Sequence, residues 1–287
     1  MKTSHANAAT FPPVPLGLAR SALFGVARPG GAEIVQRAIT IAPLRGARLR
    51  YSGPQLSQHH ALLWQAILQA AAEQGTTSDQ PLTIAADGLL RAMGGKGDDS
   101  EQRARVWRWL RDLTAARIEY STITHDYAGP LVFEVLRLKP SGLLSVRFNP
   151  TLFHLIGDEV LRNDLARKAR LGRNMLALWL HDYIGTHLRP PPEPVAMLRN
   201  LCGSPLALPQ FRQRLRAALD LLMRGDDALV LSWSIDRRDR LIIEKRPTRV
   251  VILPPQAAQA KQVVAQHHGR KQAEVERARQ QRARLAL

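Results

Sequence analysis

Six arginines in a short span of the chain have the type and spacing for binding a polyanion. Arg212, Arg214 and Arg216 alternate through a run that also holds Leu208, Phe211, Leu215, Ala218, Leu219 and Leu222. Wound at about 100° per residue, the apolar residues share one side of a helix over residues 209–223. Gln210, Gln213 and Ala217 then lie opposite, with the arginines on the flanks. Arg237, Arg238 and Arg240 follow at a turn between two β-rich runs, residues 229–235 and 241–244. A glutamine amide pairs with the edge of adenine, and a guanidinium with guanine or with phosphate oxygens. A helix carrying these groups, followed by a two-stranded ribbon with a cationic tip, is the arrangement of a winged-helix reader of duplex DNA. The neutral alternative is that the charged helix face is simply solvated, and Asp220, Asp226, Asp227, Asp236 and Asp239 dilute the local charge.

The elements needed to position this pair are legible upstream. Residues 164–187 read as one long helix, Pro190, Pro191 and Pro192 as a break, and residues 194–201 as a short helix stopped at Cys202-Gly203. The same order precedes it with no obvious sequence identity. A strand-like run at 48–51 leads into a helix over 57–74, whose Leu62, Leu63, Ala66, Ile67 and Ala70 form an apolar stripe. A short strand at 82–84 and a short helix at 87–93 follow, then a helix over 100–117 with Ser100 as its expected cap. Val106, Trp109, Leu110 and Leu113 point inward on that helix, and Arg105, Arg108 and Arg111 outward. Three β-rich runs, 118–124, 131–138 and 143–148, complete the module, separated by turn clusters at 126–130 and 139–142. A helical turn or two is expected at 150–156 and an interdomain joint at 157–164.

The expected fold class is therefore α+β and helix-rich, with tandem winged-helix domains, a flexible N-terminal arm and a basic C-terminal tail. The divisions fall at 1–40 for the arm, 41–157 for the first winged-helix domain, 158–253 for the second and main DNA reader, and 254–287 for the tail. The arm owes its assignment to Pro12, Pro13, Pro15, Gly17, Gly25, Gly30 and Gly31. In the tail, lysines and arginines outnumber glutamates seven to two. Two such domains side by side could occupy successive grooves of a duplex.

Composition bounds the partners. At 287 residues and 45% apolar content the chain can bury two cores, and its net charge of +17 favours nucleic acid. There is no long apolar run to suggest a membrane span and no signal-peptide pattern at the start. The one cysteine, Cys202, fits a reducing cytoplasm. No enzyme, metal or cofactor constellation emerges. The histidine pairs His59-His60 and His267-His268 are adjacent rather than spaced as ligands on a helix face. Gly94-Gly95-Lys96-Gly97 lacks the spacing of a phosphate loop.

Five stretches carry a family resemblance: Ala19-Arg20-Ser21-Ala22-Leu23-Phe24, Tyr51-Ser52-Gly53, Leu176-Ala177-Leu178-Trp179-Leu180-His181, Leu198-Arg199-Asn200-Leu201-Cys202-Gly203-Ser204 and Phe211-Arg212-Gln213-Arg214-Leu215. In this order, over roughly residues 19–245, the chain resembles the TrfA-type plasmid replication initiators. The resemblance implies a non-enzymatic protein that binds repeated sites, the iterons, in a plasmid origin, helps open the adjacent AT-rich DNA and recruits the host replicative helicase with DnaA. It implies monomeric binding with dimers in reserve, and it places Arg212, Gln213, Arg214 and Arg216 on the recognition helix. Leu23-Phe24 resembles the end of a sliding-clamp-binding peptide but lacks its Gln-Leu start, and the alternative is that both pack the arm onto the first module. A winged-helix transcriptional regulator or nucleoid-type protein is the alternative function.

Overall fold

The structure, a computed structural model, describes residues 13–27, 34–39, 48–74, 80–97, 99–121, 126–139, 141–149, 159–162, 164–247 and 250–252. The expected helical turn at 150–156 and the basic tail at 254–287 lie outside the described residues. The described residues up to Val251 make one compact unit.

The first half is built around α2, Gln58–Glu73. Residues 61–68 of this helix are all buried, including Trp64 and Ile67, so the expected single stripe is instead a helix covered on every side. β4 (Leu82–Ala85), α3 (Ala86–Ala92) and α4 (Ser100–Ala115) pack around it. α4 is capped by Asp99, not Ser100: the Asp99 carboxylate accepts from the amides of Glu101 and Gln102. Val106, Leu110 and Leu113 are fully buried while Trp109 is part-exposed. A four-stranded antiparallel sheet follows the order β2 (Ile34–Ile39), β3 (Arg48–Pro54), β5 (Arg117–Ser121), β6 (Asp126–Pro130). Residues 126–130 are thus a strand paired along β5 rather than a turn, because Gly129 and Pro130 stand opposite Ile118 and Arg117 in the ladder. A second sheet has β7 (Val132–Leu138) and β8 (Leu143–Phe148) as a hairpin, with β4 on the other edge of β8.

β9, Glu159–Arg162, lies within the expected joint and pairs with β1, Pro13–Pro15. The expected long helix at 164–187 is two helices, α5 (Leu165–Arg170) and α6 (Met175–Gly185). Gly172 takes φ +62, a left-handed conformation that ends α5, and the Asn174 side chain accepts from Ala177 N to start α6. The order of the first half then returns: β10 (Glu193–Pro194), α7 (Val195–Leu201), α8 (Leu208–Leu222) and the hairpin β11 (Val230–Ile235) with β12 (Arg240–Lys245). β10 borders β12 as β4 borders β8. A last strand, Val250–Ile252, joins the sheet of β1 and β9.

The stretch 13–27 corrects the flexible-arm expectation for its own length. A short helix, α1 (Leu16–Ala19), leads into residues 18–25, which are almost wholly buried. Gly25 N donates to Leu56 O, Val26 N to Cys202 O, and Trp179 Nε1 to Ser21 O. Arg20 donates to the hydroxyl and carbonyl oxygens of Thr186. The apolar residues Leu18, Leu23 and Phe24 supply the reason: they fill space between elements far apart in sequence. Residues 34–39 depart from the expectation as well, since they form β2 along β3. The other residues of the expected arm, 1–12, 28–33 and 40, lie outside the described set.

α2 and α6 are both buried nearly all round, so the polar residues between them must satisfy one another. Lys168 Nζ lies 2.6 Å from Asp182 Oδ2 and 2.9 Å from Gln65 Oε1, and Gln65 Nε2 donates to the same carboxylate at 3.1 Å. Burial by itself raises the pKa of Asp182, but Lys168 and His181 outweigh it and hold the carboxyl below its ordinary value of 3.8. Its contribution to stability is therefore complete above that value and is lost as the pH falls through the lower folded pKa. Lys168→Met, which takes the cation away from the buried carboxylate, is expected to cost about 3–5 kcal/mol in urea unfolding, whereas Lys168→Met combined with Asp182→Leu recovers most of the loss. Equal losses in the single and double variants would contradict this account.

Candidate nucleic-acid interface

α8 begins after Ala207, whose side chain offers no cap, with Pro209 in the first turn where its missing amide costs nothing. Phe211, Leu215, Ala218, Leu219 and Leu222 are buried against α6 and α7, at 0–3% exposure. Gln210, Gln213, Arg214, Arg216 and Ala217 are exposed, which matches the polar face expected from the spacing. The same face continues to Asp220, whose carboxylate accepts from Trp233 Nε1 at 3.1 Å. A carboxylate there repels phosphate, so the cationic portion of the helix lies before it, from Arg212 to Arg216.

The hairpin is tied to this helix by a two-point ion pair. Arg212 Nε lies 2.8 Å from Asp239 Oδ1 and its Nη2 lies 2.7 Å from Oδ2. Asp239 has φ 56 and is the one non-glycine residue with positive φ among the described residues, a conformation that Asp adopts at tight turns. Its carbonyl accepts from Val195 N, so the start of α7 meets the same turn. Asp236 accepts from the amides of Arg238 and Arg240 and from the Arg240 guanidinium. The backbone amide and side chain of Arg240 hold the Asp236 carboxyl below its ordinary pKa, and the Arg212 side chain does the same for Asp239.

The six arginines therefore divide. Arg212 and Arg240 spend donors inside the protein, organising the turn, while Arg214, Arg216, Arg237 and Arg238 are exposed. Partners 27 positions apart are invisible to helix periodicity, although a hairpin turn bracketed by two aspartates is a signal for them. In the first half, Arg108 and Arg111 are exposed on α4, as expected, but Arg105 is part-buried and paired with Glu101 at 2.7 Å. Leu23 and Phe24, at 0% and 5% exposure, lie in the core with the Phe24 ring 5.8 Å from that of Trp64. Both side chains are directed into the interior of this fold.

Among the described residues, no group of three or more His, Cys, Asp and Glu side chains is placed to hold a metal, and no helix is long and apolar enough to cross a membrane.

No protein-family model and no curated protein sequence matches the chain. Similarity to solved structures is found instead. A crystal structure of domains 2 and 3 of RctB superposes with a TM-score of 0.57 at 10% identity, over 82% of this chain and 99% of that one. A second structure of RctB domains 2–3 gives 0.51 at 10% identity, over 77% and 95%. The Pi initiator protein in complex with iteron DNA gives 0.46 at 15% identity, over 65% and 95%. The chain shares the fold of RctB domains 2 and 3 over nearly the whole of that two-domain chain.

If the Arg212–Asp239 pair holds the hairpin to α8, Arg212→Ala and Asp239→Asn are each expected to speed hydrogen exchange at the amides of Arg238 and Arg240 while leaving the melting temperature nearly unchanged. Unaltered exchange in both variants would show that the turn keeps its position without the pair.

Proposed function

We propose that this chain is a replication initiator of the TrfA type, which binds iterons in a plasmid origin, promotes opening of the adjacent AT-rich DNA and recruits the host helicase and DnaA. The observation that carries the reading is the exposed polar face of α8, with Gln210, Gln213, Arg214 and Arg216 beside the exposed Arg237 and Arg238 of the hairpin. The two glutamines read base edges, Arg214 and Arg216 reach guanine or phosphate, and the hairpin arginines grip the flanking backbone. Arg212 and Arg240 serve as positioning residues for these contacts.

In this reading the chain is a tandem of winged-helix domains, 41–157 and 158–253, working without enzymatic activity in the cytoplasm. The repeated order of helix, strand, two helices and hairpin supports it, as do the resemblance in five stretches of sequence and the fold shared with RctB domains 2 and 3. Arg108 and Arg111 give the first domain a second cationic face for DNA or for a protomer in a monomer–dimer equilibrium.

Footprinting on the replicon that carries the gene is expected to show regularly spaced protection over direct repeats. Protection confined to a single promoter palindrome would favour a transcriptional regulator, and uniform coverage a nucleoid-type protein. Arg214→Ala with Arg216→Ala is expected to weaken repeat binding by about tenfold or more and to flatten the dependence of log K on log salt by about one for each phosphate the variant no longer reaches. Undiminished repeat affinity would remove α8 from the interface.

A further inference from the structure

Away from α8, a cleft of about 340 Å³ opens between α2, α3 and α4 on one side and the turn joining α5 to α6 on the other. Three cations line it: Lys96, Arg105 and Arg173. Lys96 and Arg173 are exposed, and no carboxylate partner is seen for either among the described residues. Arg105 gives one nitrogen to Glu101 and keeps its other donors. The wall beside them is flat and aromatic, with the His59 ring stacked on Trp109 at 5.2 Å and 21°. Leu62, Leu90 and Met93 continue it as an apolar surface. Burial, followed by the charges of His60, Arg105 and Arg173, lowers the His59 pKa to about 4, so the ring is neutral at physiological pH.

Gly94 and Gly95, beside the cleft, do not offer their amides to an anion. Gly94 N donates to Arg91 O and Gly95 N to Leu90 O, so neither amide is available. Gly94 has a different purpose: at φ +85, an added Cβ would stand 3.0 Å from Ala169 Cβ, and its absence lets the end of α3 close onto α5. Recognition of charge in the cleft falls to side chains. Three cations suit a phosphate, but a phosphate ion leaves the aromatic and apolar wall uncovered. The volume is at the lower end of the range for small organic ligands.

We propose that the cleft binds a small phosphorylated ligand of the nucleotide class, its phosphates held by Lys96, Arg105 and Arg173 and its ring laid against the His59–Trp109 wall. Such a ligand touches both sides of the cleft and so steadies the turn between α5 and α6 against α3 and α4.

ADP titrated into the full chain by calorimetry is the probe, with inorganic phosphate and a short duplex lacking repeats as competitors. Saturable binding of one ADP per chain is expected, weakened about tenfold or more by Lys96→Ala with Arg173→Ala, two exposed positions outside the α8 face. The variant is expected to keep its melting temperature and its affinity for repeat DNA, which separates this result from the fate of the initiator reading. Arg173→Lys, which keeps the charge, should restore part of the affinity missing in Arg173→Ala. Failure of ADP to saturate, or equal affinity in the double variant, would overturn the proposal. So would displacement of ADP by the duplex, which would put the cleft on a DNA path, or inorganic phosphate binding as tightly as ADP, which would leave the ring without a role.

Discussion

The buried contact of Lys168 with Asp182 and Gln65 is the constraint on which the arrangement of this molecule depends. α2 and α6 are each covered by apolar neighbours along most of their length, and a polar group between them has no water to turn to. The ammonium, the carboxylate and the amide meet one another, which forces α2, α5 and α6 into a single register. Apolar packing alone tolerates sliding, whereas a buried ion pair with a shared amide does not, because any displacement leaves a charge unsatisfied. The segment 13–27 reinforces the same junction through Ser21, Gly25 and Val26. The described residues up to Val251 therefore form one compact unit that carries α8.

A second, more exposed device sets the hairpin against α8. The hairpin after α8 carries aspartates at both ends of its turn, which look at first like a dilution of the cationic patch. Their positions give them another role. Asp236 closes the turn on Arg240, and Asp239 takes Arg212 at two points, leaving Arg237 and Arg238 projecting from an ordered tip. Such an exposed pair adds little to global stability. It acts on geometry, joining the hairpin tip to the helix that carries Gln210 and Gln213.

Much of this is legible in the residues. The apolar period of α8, its polar face and the following hairpin can be read because each depends on neighbours a few positions away. The break at Gly172 and Asn174 is also encoded locally, but the helix-forming runs on either side hide it. Other features depend on contacts across long stretches of chain. Lys168 is buried because of Gln65 and Asp182, Leu23 and Phe24 because of helices much farther along, and Arg212 is turned toward the hairpin by Asp239. Residues 126–130 read as a turn from their Gly and Pro content, and become a strand because β5 supplies a partner.

The proposed function turns on Gln213 facing base edges. The chain has one cysteine, Cys202, and burial pushes its thiol up to about 12, so Gln213→Cys introduces a single reactive site. Labelled there with a photoactivatable group and bound to repeat DNA, the protein is predicted to cross-link to bases at one fixed position in each repeat. Binding that persists with adducts absent, or scattered along the sugar–phosphate backbone, would contradict the account.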